Sequence, residues 1–342
     1  EIISPDEMED IYLEIADVYE DWEKYDRVIE YLQKVLIINA NNGEALGRLW
    51  FCVELTETYR ESIEFHTQLT NEEPYSYMAW FNLAHAYAGL KNYEEAIEAF
   101  EFAIAINDKY DHAYRDCGEV LMKIEQHRKA AEYFIQASLL SEPTKELYFN
   151  IGVCFEQLKK YNRARYYFRK ATSVDPYFDK AFFKIGENYR REDRWPQAIP
   201  SFERAVKLNG KNSAYLNAMG EGYSNIGRLD DAIDTYFKAI KVDPGKKSNW
   251  LQLAKVLYLS GEFRKAISML EEAANKFRNN ADIHYLQSAY FYQIGNRMDA
   301  IRNLEKGLVK NVAGHGLTFE VTPYMKNDPA IVKILKRYAR LQ

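Results

Sequence analysis

The chain has little cysteine and no cysteine pair. Cys52, Cys117 and Cys154 are the three in 342 residues, and none stands in a C-x-x-C spacing. An odd, scattered set builds neither a disulfide framework nor a zinc knuckle. Each lies in an apolar pattern of helical spacing, where cysteine acts as a small hydrophobe. Such usage fits a reducing compartment, so a cytoplasmic location is the expectation. The six histidines, His66, His85, His112, His127, His284 and His315, form no metal-ligand spacing. P-loop, G-x-G-x-x-G and G-x-S-x-G motifs are missing as well. No catalytic residue, cofactor or metal is therefore expected. No apolar run approaches the ~20 residues of a membrane-spanning helix. Positive charge is short too: 45 Lys and Arg stand against 51 Asp and Glu, a net −6. That balance disfavours nucleic acid, which draws on clustered positive charge. Five tryptophans give little for carbohydrate stacking. The first residue is Glu1 rather than methionine, which leaves room for a removed signal peptide or upstream repeats.

What is present is a beat. Alanine recurs at Ala96, Ala130, Ala164, Ala198, Ala232, Ala266 and Ala300, each step 34 residues. A bulky group follows four later at Phe100, Phe134, Phe168, Phe202, Tyr236, Leu270 and Leu304. Seven after each alanine comes another small residue, Ala103, Ala137, Ala171, Ala205, Ala239, Ala273 or Gly307. A fixed period of this length marks a solenoid, in which each repeat buries its apolar face against its neighbours. The repeat overrides the length-based expectation of two domains.

Within one period, Trp80, Leu83, Ala84 and Tyr87 share a helical face. Lys91 and Asn92 interrupt it, and a second stripe follows through Ala96, Ile97, Phe100 and Ala103. Two short amphipathic helices make an antiparallel hairpin. Gly118, Gly152, Gly186 and Gly220 in the first helices leave room for close backbone approach. Pro74, Pro176 and Pro244 sit past second helices, which proline cannot continue.

This pattern resembles the tetratricopeptide repeat. The match is specific in 77–110, 145–178, 179–212 and 213–246, and good in 111–144 and 247–280. It weakens in 281–314, where His284 and Ser288 replace the usual aromatic and small residue. Residues 9–42 fit through Tyr12, Ala16, Tyr19, Leu32 and Val35. Residues 43–76 diverge: Trp50 stands where a small residue belongs, and Ser62 and His66 replace Ala and Phe. The expected architecture is an all-α, right-handed α-solenoid superhelix of nine units over 9–314. An eight-residue lead-in (1–8) precedes it, and an extended segment with a capping helix (315–342) follows.

Three local expectations follow. Trp50 cannot occupy a glycine's space, so the junction near 43–76 should be wider or bent. Pro200, inside a helix opened by Pro196, should make residues 196–202 irregular, since an interior proline costs ~3 kcal/mol. After Gly314-His315-Gly316, Leu317 to Thr322 reads as extended chain. Asp328 then caps a helix with Pro329 first and Ile331, Ile334, Leu335, Tyr338 and Leu341 on its apolar stripe. Docking of that helix on a partner is the alternative to sealing the end of the stack.

The resemblance implies that first helices line a groove holding a partner's extended peptide or helix. That face runs through Phe81, Asn82 and His85, then Arg115 and Glu119, then Phe149, Asn150 and Val153. It continues through Lys180, Phe183, Lys184, Glu187 and Arg190, then Asn217 and Glu221, then Lys255 and Tyr258. His85 and Glu119 could meet across adjacent repeats. Arg115, Glu119, Asn150, Lys180 and Lys184 resemble the carboxylate clamp of co-chaperone tetratricopeptide domains. Glu119 departs from it by putting an anion where the clamp has a neutral donor, and it can instead pair with Arg115 four residues away. The ends carry opposite charge. Residues 1–30 hold twelve acids against Lys24 and Arg27, and 297–342 hold nine bases against four acids. Asp10, Glu14, Asp17 and Asp21 share the groove side of the first helix. A solvated terminal repeat, docking of a basic segment and weak head-to-tail self-association all fit that separation. The leading expectation is a non-catalytic scaffold with a protein or peptide partner and no membrane insertion. The alternative is a regulatory or targeting arm of a larger enzyme or of a transport or assembly machine.

Overall fold

The computed structural model describes residues 4–339, which form twenty α-helices and no strand. They divide into two compact units, residues 1–176 and 177–342. The first unit opens with α1 (Pro5–Asp21), α2 (Tyr25–Ile38), α3 (Gly43–Thr56), α4 (Tyr59–Glu72) and α5 (Tyr77–Gly89). It continues with α6 (Tyr93–Ile106), α7 (Asp111–Lys123), α8 (His127–Leu140), α9 (Lys145–Gln157) and α10 (Tyr161–Val174). Helix α1 already takes up Pro5 to Met8 of the expected lead-in: Ser4 caps it and exchanges a reciprocal capping box with Glu7, so the helix starts at Pro5.

In the first unit, helices adjacent in the chain pack side by side, with one exception. Helix α3 packs on α2 and α5 and scarcely touches α4, its own hairpin partner. This is the repeat in which Trp50 replaces a small residue. Elsewhere the hairpins close on the ladder. Ala96, Phe100 and Ala103 on α6 are sealed from solvent, as are Ala130 and Phe134 on α8 and Ala164, Phe168 and Ala171 on α10. The glycines of the first helices admit a ring of the partner helix. A Cβ on Gly118 would stand 2.8 Å from Phe134, and one on Gly152 2.5 Å from Phe168. The three thiols are buried, and burial pushes that of Cys52 up to about 11 and those of Cys117 and Cys154 up to about 12.

The turn inside each hairpin keeps the same beat. Glu23, Glu57, Lys91, Glu125 and Lys159 in the first unit adopt positive φ, between 55° and 64°. Asp193, Gly227, Gly261 and Gly295 continue the series in the second unit. A left-handed residue ends the first helix of the hairpin and turns the chain into the second.

The second unit holds α11 (Asp179–Arg190), α12 (Trp195–Leu208), α13 (Ser213–Asn225), α14 (Leu229–Val242) and α15 (Lys247–Leu259). Then come α16 (Phe263–Lys276), α17 (Ala281–Gln293), α18 (Arg297–Lys310), α19 (Gly316–Val321) and α20 (Pro329–Ala339). Helix α12 corrects one expectation, because it runs unbroken through Pro200 at the same length as its counterparts. Pro200 forfeits one backbone bond near the start, while Ala198, Phe202 and Ala205 are fully buried and hold the register.

A second correction concerns Leu317–Thr322, which lies largely in the short helix α19. Thr318 and Thr322, four apart and therefore on one helical face, donate to the carbonyls of Tyr285 and Ala289 at 3.2 and 3.3 Å. Both hydroxyls are buried against α17, and only a helical spacing brings them there together. Asp328 caps α20 as expected, accepting from Ala330 N at 2.9 Å, and also binds Arg297 and Tyr292. Ile331 is buried, and Ile334, Leu335 and Tyr338 pack on Tyr285, Leu304 and Leu308 of the last hairpin. Leu341 lies outside the described residues.

Candidate functional site

The first helices α3, α5 and α7 converge on a cavity of about 510 Å³ in the first unit. It lies where α3 stands away from α4, and Tyr59 of α4 reaches across to its edge. The indole of Trp50 lines one wall and stacks on His85, with ring centres 5.0 Å apart. In this repeat the bulky residue sits on the first helix and the polar His66 on the second. A groove wall thereby replaces a filled core.

At the centre stands Asp116. Its Oδ2 meets His85 Nε2 at 3.0 Å and its Oδ1 accepts from Arg115 Nε at 2.9 Å. Burial opposes ionisation, but these bonds hold the Asp116 carboxyl below its ordinary value. Glu119, one turn away, has no hydrogen bond or ion pair among the described residues. It is exposed at the groove's rim, and partial loss of water on its groove side, reinforced by the neighbouring Asp116 charge, pushes its carboxyl above the usual range, against the pull of Arg115 and Lys123. Asn82 is 2% exposed and donates through Nδ2 to the carbonyl of Leu46 at 2.9 Å. That bond fixes the amide orientation and leaves Oδ1, also buried, with no donor. An unpaired buried acceptor costs ~1–3 kcal/mol.

Two expected pairings are corrected here. Arg115 turns to Asp116 rather than to Glu119, and His85 also meets Asp116 across the repeats instead of Glu119. The carboxylate at 116 serves both because it is already ionised and sits between them. Sequence reasoning passed over Asp116, yet the 34-residue beat from Asn82 lands on it. Arg48, Asn82, Asp116, Asn150 and Lys184 recur at one position of the 34-residue repeat. Arg48 on α3 is itself engaged, meeting Asp17 at 2.8 Å, Glu20 at 2.5 Å and Glu44 at 3.1 Å. Asp17 is thus partly neutralised by the neighbouring repeat.

The other expected groove residues separate by unit. Phe81 is buried against His85, Phe100 and Tyr110, so it belongs to the core and not to the groove-lining face on which the spacing placed it. Phe149 on α9 is half-buried and packs on Phe168, and Asn150 beside it is half-buried. In the second unit Lys180 is exposed and Lys184 half-buried on α11. Phe183 stacks on Tyr215 at 4.5 Å. Arg190 bridges Glu187 at 3.1 Å and Glu221 at 2.8 Å. Burial pushes the Glu187 carboxyl up against the opposing pull of Arg190. Asn217 donates to the buried Asn249. The clamp-like set is therefore divided: Arg115, Glu119 and Asn150 belong to one unit, Lys180 and Lys184 to the other. In the first unit its one base is already paired. No group of three metal-ligating side chains occurs among the described residues, and no helix there is long and apolar enough to cross a membrane.

Residues 32–288 match the family described as the cilia and flagella-associated protein 70 C-terminal domain. The chain belongs to that family. Residues 9–42 separately match the tetratricopeptide repeat, the unit the ladder resembles. The C-terminal part of a TPR repeat-containing protein from Cytophaga hutchinsonii is 15% identical, with 71% of this chain and 99% of that one covered at a TM-score of 0.62. This family member therefore has the all-α tetratricopeptide fold. A TPR protein with an unusual peptide-binding site, YrrB, is 18% identical over 54% of this chain and 95% of its own, with a TM-score of 0.48. In sequence, the general transcriptional corepressor trfA of Dictyostelium discoideum is 24% identical over 100 residues, 29% of this chain. The chain spans 7% of that relative's length.

Proposed function

We propose that the chain is a non-catalytic scaffold of a ciliary or flagellar assembly that holds an extended segment of a partner protein against its first helices. The family description supports the setting, and the cavity among α3, α5 and α7 supports the mode. The observation that carries the reading is the buried, donorless Oδ1 of Asn82 in the cavity wall. An extended peptide brings backbone N–H groups that such an acceptor requires, and side chains that fill pockets between repeats. Residues 9–314 read as nine repeats. The groove extends from Asn82, His85, Arg115 and Glu119 to Phe149 and Asn150. The second unit offers a first-helix face of its own through Lys180, Phe183, Lys184, Glu187, Arg190, Asn217 and Glu221.

Arrays of peptides tiling the unstructured parts of ciliary proteins test this. Bound peptides should protect α3, α5 and α7 from hydrogen exchange. Protection confined to α4, α6 and α8 would overturn the reading. Weak head-to-tail self-association is a second reading, favoured by charge. The first 110 residues hold 24 acids against seven bases, and the remaining 232 hold 27 against 38. Light scattering at low and high salt checks it: a mass of 40.1 kDa at both would exclude it.

A further inference from the structure

We infer that the cavity among α3, α5 and α7 receives a basic side chain, arginine before lysine, from a partner protein segment. The inference rests on the peptide-groove reading and adds the charge of what is bound. Three features of the lining point the same way.

The first is what remains unsatisfied. Arg115 and His85 are both committed to Asp116, so these inner donors offer little to an anion. Among the described residues the groups left over are acceptors: Oδ1 of Asn82, buried and without a donor, and the carboxylate of Glu119, without an ion pair. A ligand that completes them must donate N–H groups and carry positive charge. A carboxylate tail would leave Asn82 unpaired and face Glu119 directly.

The second is the aromatic wall. Trp50 lines the cavity beside His85, and a planar guanidinium stacks on indole while its fork donates sideways. An ammonium does the first less well and the second without directionality. The third is the setting. The cavity's remaining bases, Lys91 and Lys123, are exposed at its mouth, as Glu119 is, and water and salt screen all three alike. Around them, the first 110 residues carry a net −17 (24 acids, seven bases), which attracts a basic segment before contact.

The test is a displayed library of random twelve-residue peptides selected against the full chain, in wild type and in Glu119→Gln and Glu119→Lys. Glu119 is exposed, so both variants should melt like wild type. Wild type should enrich arginine at one position. Replacing that arginine by glutamine, or Glu119 by Gln, should weaken a selected peptide by roughly tenfold or more. Glu119→Lys should enrich acidic peptides instead. A photo-reactive copy of the selected peptide should cross-link to α3, α5 or α7. Peptides that cross-link there with neutral or acidic preference, indifferent to Glu119→Gln, overturn the charge assignment and leave the groove reading standing. Peptides that cross-link elsewhere remove both.

Discussion

At position 66, where the beat calls for phenylalanine, the chain buries a histidine. His66 is fully enclosed; its Nδ1 bonds to Ser62, and its Nε2 finds no partner among the described residues. Burial disfavours the imidazolium and lowers its pKa to about 4. An unfolded histidine titrates near ~6.5, so between these values the unfolded chain binds a proton that the folded chain refuses. Stability is whole above the unfolded value and falls as the pH drops through the window toward the folded one. The slope is ~1.4 kcal/mol per pH unit, or about 3 kcal/mol across it. His66→Leu, of similar volume, should remove this component of acid sensitivity. Urea unfolding at pH 7 and pH 5 measures it: the variant should lose less stability than wild type on acidification. Equal losses would show that the ring is not held neutral.

At the scale of the helix pair, the fold depends on a small residue facing a ring. Gly152 on α9 lies against Phe168 on α10, and a Cβ there would stand 2.5 Å from the ring. Gly152→Ala should destabilise by ~1–2 kcal/mol, overpacking outweighing the gain in helix propensity. Gly47→Ala on α3 should do the reverse. Its Cβ would meet only the end of Met78 at 3.8 Å, so removing a mid-helix glycine stabilises by ~0.5–1 kcal/mol. Denaturant midpoints of the two variants should move in opposite directions; a shared direction would contradict the ring-seat account. The pairing of helices was legible because Ala, ring and small residue repeat at fixed offsets. The gap between α3 and α4 was legible too, since Trp50 cannot seat against a ring. Helix α19 was not. Two glycines mask its start, and its reason for being helical is a pair of threonine bonds to a different helix.

For the molecule as a whole, the ladder revealed the fold and only part of the site. It put Asn82, His85, Arg115 and Glu119 on one face. Partner choice escaped it, because Arg115 and Asp116 are sequence neighbours that do not ordinarily face each other on a helix. What unites them is His85, from the preceding repeat. The uneven charge, by contrast, was plain in the sequence, and it acts at a range no single contact does. A net −17 over the first 110 residues, 24 acids against seven bases, attracts a basic segment from beyond contact distance. Salt shortens that reach from ~10 Å at 0.1 M to ~3 Å at 1 M. A hydrogen bond to the buried Asn82 inside the cavity is shielded from it. Raising salt from ~20 to ~500 mM should therefore slow association of an arginine-bearing peptide by roughly tenfold and change dissociation by less than about threefold. Stopped-flow mixing reads both rates. If salt instead sped dissociation and left association alone, the long-range field would be idle, and attraction would come entirely from Glu119 and its neighbours at contact.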